Sequence, residues 1–226
     1  MTTVLLVRHG LTHLTGPVLA GWTPGLHLDE RGRAQAAALG ERLRPVPLDA
    51  IVVSPLERCR DTADALLADR TPAPPVHIDE RLGEVRYGAW TGRTIRDLVK
   101  EPLWKVVQGR PSAAVFPDGE GLADMAARAA AAIRDWNARL GEKATYAVVT
   151  HADVIKALVA DALGLHLDAF QRIAVDPCSV TVVRYAALRQ TLVRANDVGG
   201  DIRDLVPSVG RSRRAGPRRA PGAAAR

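Results

Sequence analysis

The chain is poor in aromatic residues, which make up 4% of its 226 residues, and it carries two cysteines. Cys59 and Cys178 lack metal-ligand spacing, so they read as reduced thiols of a cytoplasmic protein, not as a disulfide framework or a zinc site. No apolar run approaches the roughly 20 residues needed to span a bilayer. Met1-Thr2-Thr3 leads straight into a short apolar run, without the charged, apolar and small-residue zones of a signal peptide. A cytoplasmic location and no membrane partner are therefore expected. Acidic residues are missing from 207–226, which holds six of the 31 lysines and arginines. Without those six, basic and acidic residues balance at 25 each. The net charge of +6 thus belongs to a Pro/Gly/Ala/Arg tail with no apolar periodicity, which is expected to be disordered. Such a tail offers at most weak contact with nucleic acid or an acidic surface, and the neutral body offers none.

Residues 1–206 remain as one domain, with length enough for a good core. Its 47% apolar and 25% charged residues are those of a folded globular chain. Val4–Val7 is a short apolar run of the kind buried on both faces of a sheet, and it stops at Arg8-His9-Gly10. A long loop, Leu11–His27, lies beyond it, and such loops are usually functional. A helix follows from Asp29 to Leu43, then a second buried strand, Ala50–Val53. Ser54-Pro55-Leu56-Glu57 reads as a capping box with Ser54 at N-cap, opening a helix to Leu67. Arg58 falls in the first turn of that helix, where the dipole favours an anion. Val76–Asp79 is a short strand, and Glu84 lies in a glycine-rich loop. Thr94–Glu101 is a short helix, followed by a Pro/Gly-broken stretch to Pro117 and a long alanine-rich helix from Gly121 to Leu140. Thr145–Thr150 is the third buried strand, ending at His151 before a helix over Asp153–Leu163. Ser179–Tyr185 and Gln190–Arg194 read as a hairpin or edge strands, through which two copies could pair as a homo-oligomer. The alternation of strands and helices predicts a three-layer α/β/α sandwich with a mostly parallel central sheet.

Arg8, His9, Arg58, His151 and Glu84 make two guanidinium groups, two imidazoles and one carboxylate, most of them at strand or helix ends. Ligands of open α/β sheets bind at the carboxyl ends of strands, and arginine forks match phosphate oxygens. The set is suited to a phosphorylated anion, held without a metal.

The order of these residues resembles the histidine phosphatase superfamily, with its phosphoglycerate mutase-like fold. Arg8-His9-Gly10 is similar to its signature, and Ser54-Pro55-Leu56-x-Arg58 with Thr62-Ala63 to its second motif. Leu82-x-Glu84 with Gly88-x-Trp90-x-Gly92 resembles the third, and Val148-Val149-Thr150-His151 the last. The resemblance implies a metal-independent phosphomonoesterase acting on a small phosphorylated metabolite. In it His9 is the nucleophile that becomes phosphohistidine, and Glu84 is the acid and base, with Glu120 of Pro117-Asp118-Gly119-Glu120 its rival. Arg8, Arg58, a protonated His151 and the Ala152 N–H hold the phosphoryl oxygens. Trp22 and Tyr87 are the candidate substrate-binding residues, Trp22 as a lid or as a packing residue. His13, His27, His77 and His166 are read as surface or packing residues.

Four positions depart from the family pattern. Leu11 stands where many relatives have an acid, Thr15 where many have an asparagine and so must supply a hydroxyl to the phosphate, and Ala152-Asp153 in place of a glycine pair. Asp153 either brings negative charge to the pocket mouth or caps a helix. A phosphomutase is the alternative, with 2,3-bisphosphoglycerate as cofactor, because Glu84-Val85-Arg86-Tyr87-Gly88 resembles a mutase stretch. Against it, 24 residues separate Gly92 from Pro117, too few for the mutase insertion. A non-catalytic phospho-ligand-binding protein is the alternative of another class.

Overall fold

A computed structural model describes residues 1–200, and the tail expected to be disordered lies outside the described residues. Six strands form one sheet: β1 (Thr2–Arg8), β2 (Ala50–Val53), β3 (Val76–Ile78), β4 (Thr145–Thr150), β5 (Val180–Tyr185) and β6 (Gln190–Asp197). The helices are α1 (Glu30–Leu43), α2 (Glu57–Leu67), α3 (Ile95–Leu98), α4 (Pro102–Gly109), α5 (Leu122–Leu140) and α6 (Ala152–Leu163), with short 3-10 turns between them. Sheet order is β3-β2-β4-β1-β5-β6, parallel from β3 to β1 and antiparallel for the β5–β6 hairpin. This is the expected sandwich with its mostly parallel sheet.

Side chains alternate across a strand, and the two cores follow from that period. Val4 and Leu6 of β1, Val52 of β2 and Val148 of β4 pack with α5, α6 and the aromatic cluster Tyr87, Trp90 and Phe116. Leu5 and Val7, Ile51 and Val53, Ala147 and Val149 face the other way onto α1 and α2. Both faces of the central strands are covered, which is why they read as unbroken apolar runs. β1 lies between β4 and β5, so the carboxyl ends of β1 and β4 sit side by side, with Arg8 opposite Thr150. That register brings His9 next to His151.

Two expectations are corrected. The stretch read as broken by proline contains α4, and Pro102 opens it at the first helical position, where a missing N–H costs nothing. The capping box is absent: α2 starts with Leu56 as N-cap and no side-chain cap bond. The Ser54 hydroxyl accepts from the Leu56 N–H at 3.4 Å and is also bonded to His151.

Candidate active site

His9 follows β1 and is 6% exposed. Its Nδ1 lies 2.7 Å from the Gly10 carbonyl, which can only accept, so Nδ1 carries the proton. Its Nε2 accepts from Arg58 Nε at 3.2 Å. The two bonds fix one neutral tautomer with its lone pair at Nε2. Burial, then the Arg58 and Arg8 charges, push the imidazole well below its ordinary pKa of 6.5. The backbone beyond it is pinned to α2, because Gly10 N–H donates to Thr62 Oγ1 at 3.1 Å.

Arg58, 1% exposed in the first turn of α2, is the centre of the cluster. Its Nη2 donates to the Gly21 carbonyl at 2.8 Å and to His151 Nδ1 at 3.2 Å. Arg8 donates Nη1–H to the Val175 carbonyl at 2.7 Å. Arg8 Nε and Arg58 Nη1 are buried without a partner. Orphaned buried donors are costly, and two of them on guanidinium groups lining one cleft fit an anion.

His151 is fully buried at the N-cap of α6. With Nδ1 accepting from Arg58, Nε2–H donates to Ser54 Oγ at 2.8 Å. Burial and the nearby cations hold it well below 6.5. In the free site the ring is therefore neutral and serves as an acceptor for Arg58, whereas the expected protonated form belongs to the phosphate-bound state. Ala152 begins α6, so its N–H has no intrahelical partner, and it lines the cleft with Thr15. Thr15 Oγ1 accepts from Thr12 N–H at 3.0 Å, which shapes the loop above the site.

Glu84 lines the same cleft, with its Oε2 3.9 Å from His151 Nδ1. Burial and the Asp153 charge raise its carboxyl to about 7, against the opposing pull of Arg58, the Val85 N–H and Arg8. A carboxyl near 7 holds or releases a proton readily at working pH. Tyr87 also lines the cleft, and burial keeps its phenol protonated as it donates to Asp153 Oδ2 at 2.9 Å. Asp153 is thus not a cap, since its carboxylate takes Tyr87 at the rim.

Two candidates lie elsewhere. Trp22, offered as a substrate-binding residue, is not part of the cleft lining. Its Nε1–H donates to the Glu84 carbonyl at 2.6 Å, its ring abuts Gly83, and Arg86 stacks on it at 4.0 Å. It packs against the loop that carries Glu84. Glu120, the rival acid, is bonded by Arg128 at 2.6 and 3.0 Å and accepts from Arg86 N–H at 2.8 Å. The residue missing from the sequence analysis is Arg128, which donates to the carbonyls of Arg81, Gly83 and Glu84 at 2.6, 2.9 and 3.0 Å. Its one visible signal is a lone charge within the alanine run 126–132 of α5.

Comparison with known proteins agrees with this geometry. The model of the histidine phosphatase superfamily (branch 1) matches residues 4–198. The chain belongs to that family. It is 31% identical over 186 residues to the probable phosphoglycerate mutase GpmB of Erwinia tasmaniensis, covering 81% of this chain and 85% of the relative. It is 32% identical over 176 residues to the adenosylcobalamin/alpha-ribazole phosphatase of Escherichia coli K12, covering 76% and 84%. Among solved structures, YhfR of Bacillus stearothermophilus superposes with a TM-score of 0.81 at 30% identity, over 88% of this chain and 98% of that one. This histidine phosphatase-family chain is accordingly an enzyme of the phosphatase or phosphomutase type. The superfamily is generally metal-independent, and among the described residues no group of three or more His, Cys, Asp or Glu side chains is placed to hold a metal ion.

Proposed function

We propose that the protein is a phosphomonoester hydrolase working through a phosphohistidine on His9. The observation that carries this reading is one cleft lined both by a neutral imidazole with its lone pair at Nε2 and by a carboxyl raised to about 7. His9 Nε2 attacks phosphorus, a P–N bond forms, and the bond from phosphorus to the alcohol oxygen breaks. Glu84, protonated, gives its proton to the leaving alkoxide. Arg8 and Arg58 bring their unpartnered N–H groups to the phosphoryl oxygens, and the Ala152 N–H at the start of α6 adds a third donor. In the second half, the Glu84 carboxylate takes a proton from water, whose oxygen attacks phosphorus as the P–N bond breaks. Inorganic phosphate leaves and both residues return to their starting states.

Hydrolysis is favoured over mutase chemistry by the segment between Gly92 and Pro117. Its residues Leu98, Val107 and Phe116 join the core, and none of Arg93, Arg96, Lys100, Lys105 and Arg110 lines the cleft. Arg93 pairs with Glu101 and Lys100 with Asp97. No basic lid from this segment covers the site to keep a bisphosphorylated intermediate from water.

The test is phosphate release from a panel of phosphomonoesters in the presence of a chelator. Turnover that persists with chelator and disappears in His9→Ala supports the reading. Transfer between 2- and 3-phosphoglycerate faster than release of inorganic phosphate contradicts it.

A further inference from the structure

Two cations, Arg8 and Arg58, are found among the described residues lining the cleft. Each keeps one buried N–H without a partner, and together they match the two negative charges of one phosphate dianion. Besides these cations, the lining includes Val18, Leu19 and Ala20, together with Tyr87 and Asp153. Asp153 Oδ2 holds the Tyr87 hydroxyl at 2.9 Å. Its Oδ1 is 3.2 Å from Lys156 Nζ, one turn along α6. Lys156 is 18% exposed, is also bonded to Gln171 Oε1 at 3.1 Å, sits over the Phe170 ring at 5.2 Å, and does not line the cleft. It offsets part of the Asp153 charge but does not itself reach the cleft to meet a ligand. The remaining acid facing the cleft is Glu84, which contributes no positive charge in either state.

We infer that Asp153 is a specificity residue that turns away leaving groups bearing a carboxylate or a second phosphate, so that the site takes monophosphate esters of uncharged alcohols. The inference rests on the phosphomonoesterase reading. Once a phosphate dianion sits on Arg8 and Arg58, any further negative charge on the ligand meets the Asp153 carboxylate and no third cation in the described lining. An uncharged alcohol meets apolar surface at Val18 and Leu19 and a polar rim at Tyr87 and Asp153. The substrate class is thus set by what the rim repels as much as by what it binds.

Glycerol 3-phosphate and 3-phosphoglycerate share one carbon skeleton and differ by a hydroxymethyl group against a carboxylate. The wild type is expected to favour glycerol 3-phosphate by at least tenfold in kcat/KM. Asp153→Asn keeps an acceptor for Tyr87 and removes the charge. It should narrow that ratio at least fivefold, mainly by improving 3-phosphoglycerate. Lys156→Met strips Asp153 of its counter-ion and should widen the ratio, which keeps the idea testable if Asp153→Asn does not fold. Equal or better use of 3-phosphoglycerate by the wild type overturns the inference, as does a ratio unmoved in both variants, and phosphatase activity survives either result. If neither ester releases phosphate, and p-nitrophenyl phosphate releases none either, the hydrolase reading fails and takes this inference with it.

Discussion

Arg128 donates an Nη2–H to the main-chain carbonyl of Glu84 at 3.0 Å, from a helix 44 residues further along the chain. The same guanidinium holds the carbonyls of Arg81 and Gly83 and both oxygens of Glu120. The loop carrying Glu84 is therefore fixed by a cation that is not itself part of the cleft lining. Arg128→Met should leave Glu84 in place chemically but loosen its aim. General acids matter for poor leaving groups and little for good ones. The variant should lose about 10- to 100-fold in kcat on alkyl phosphates, less than the roughly 10²–10⁴-fold that a general acid contributes in full. On p-nitrophenyl phosphate it should lose much less. Equal losses on both esters would mean a general structural defect.

The pH profile follows from two opposed shifts. His9 must be neutral to attack, and it lies well below 6.5 because burial and the two arginines disfavour the cation. Glu84 must be protonated to help the leaving group, and it is raised to about 7. Activity on alkyl phosphates should hold into mildly acid solution and fall above about pH 7. In Glu84→Gln the fall near 7 should vanish from the small residual rate, as measured by kcat/KM against pH.

The same carboxyl is a liability to the fold at alkaline pH. Between 4.5 and about 7 the folded protein keeps a proton on Glu84 that the unfolded chain has lost. Stability from this group therefore falls as pH rises through that window. Glu84→Gln removes the burden, so it should stabilise the protein by about 1–3 kcal/mol at pH 8 and by little at pH 4.5. Thermal unfolding at the two pH values checks this, and equal effects at both contradict it.

Gly32 lies within α1, where alanine ordinarily gains about 1 kcal/mol over glycine. Here a Cβ would overlap the carbonyl oxygen of Leu11, in the loop just past Gly10. Gly32→Ala should therefore destabilise, by about 1–3 kcal/mol as for other overpacked sites. It should also lower activity, because the loop it displaces leads from His9 to Thr15. Denaturant unfolding and turnover read the two effects.

The residues at the strand ends were legible because two-faced burial leaves an unmistakable apolar run. A cation or imidazole that stops such a run has nothing to pack against. Arg8, His9, Arg58 and Glu84 do line one cleft, and His151, fully buried, is bonded to Arg58 and lies 3.9 Å from Glu84. What stayed hidden depends on partners distant in sequence. The local signal at Ser54 is that of an N-cap, yet the hydroxyl serves His151, 97 residues away. Arg128 acts on backbone carbonyls, which carry no side-chain signature. The sequence leaves Trp22 between lid and packing, because only its contact with the Glu84 carbonyl decides the matter. Pro102 marked a break in the reading, whereas a proline one residue inside a helix start is a beginning.

The most direct test of the central claim is to mix enzyme with a phosphorus-labelled monoester and denature it within the first turnover. The account predicts label bound to His9 through Nε2, stable in base, lost in acid and absent from His9→Ala. Label missing from the wild type during steady turnover, or label retained in His9→Ala, would contradict it.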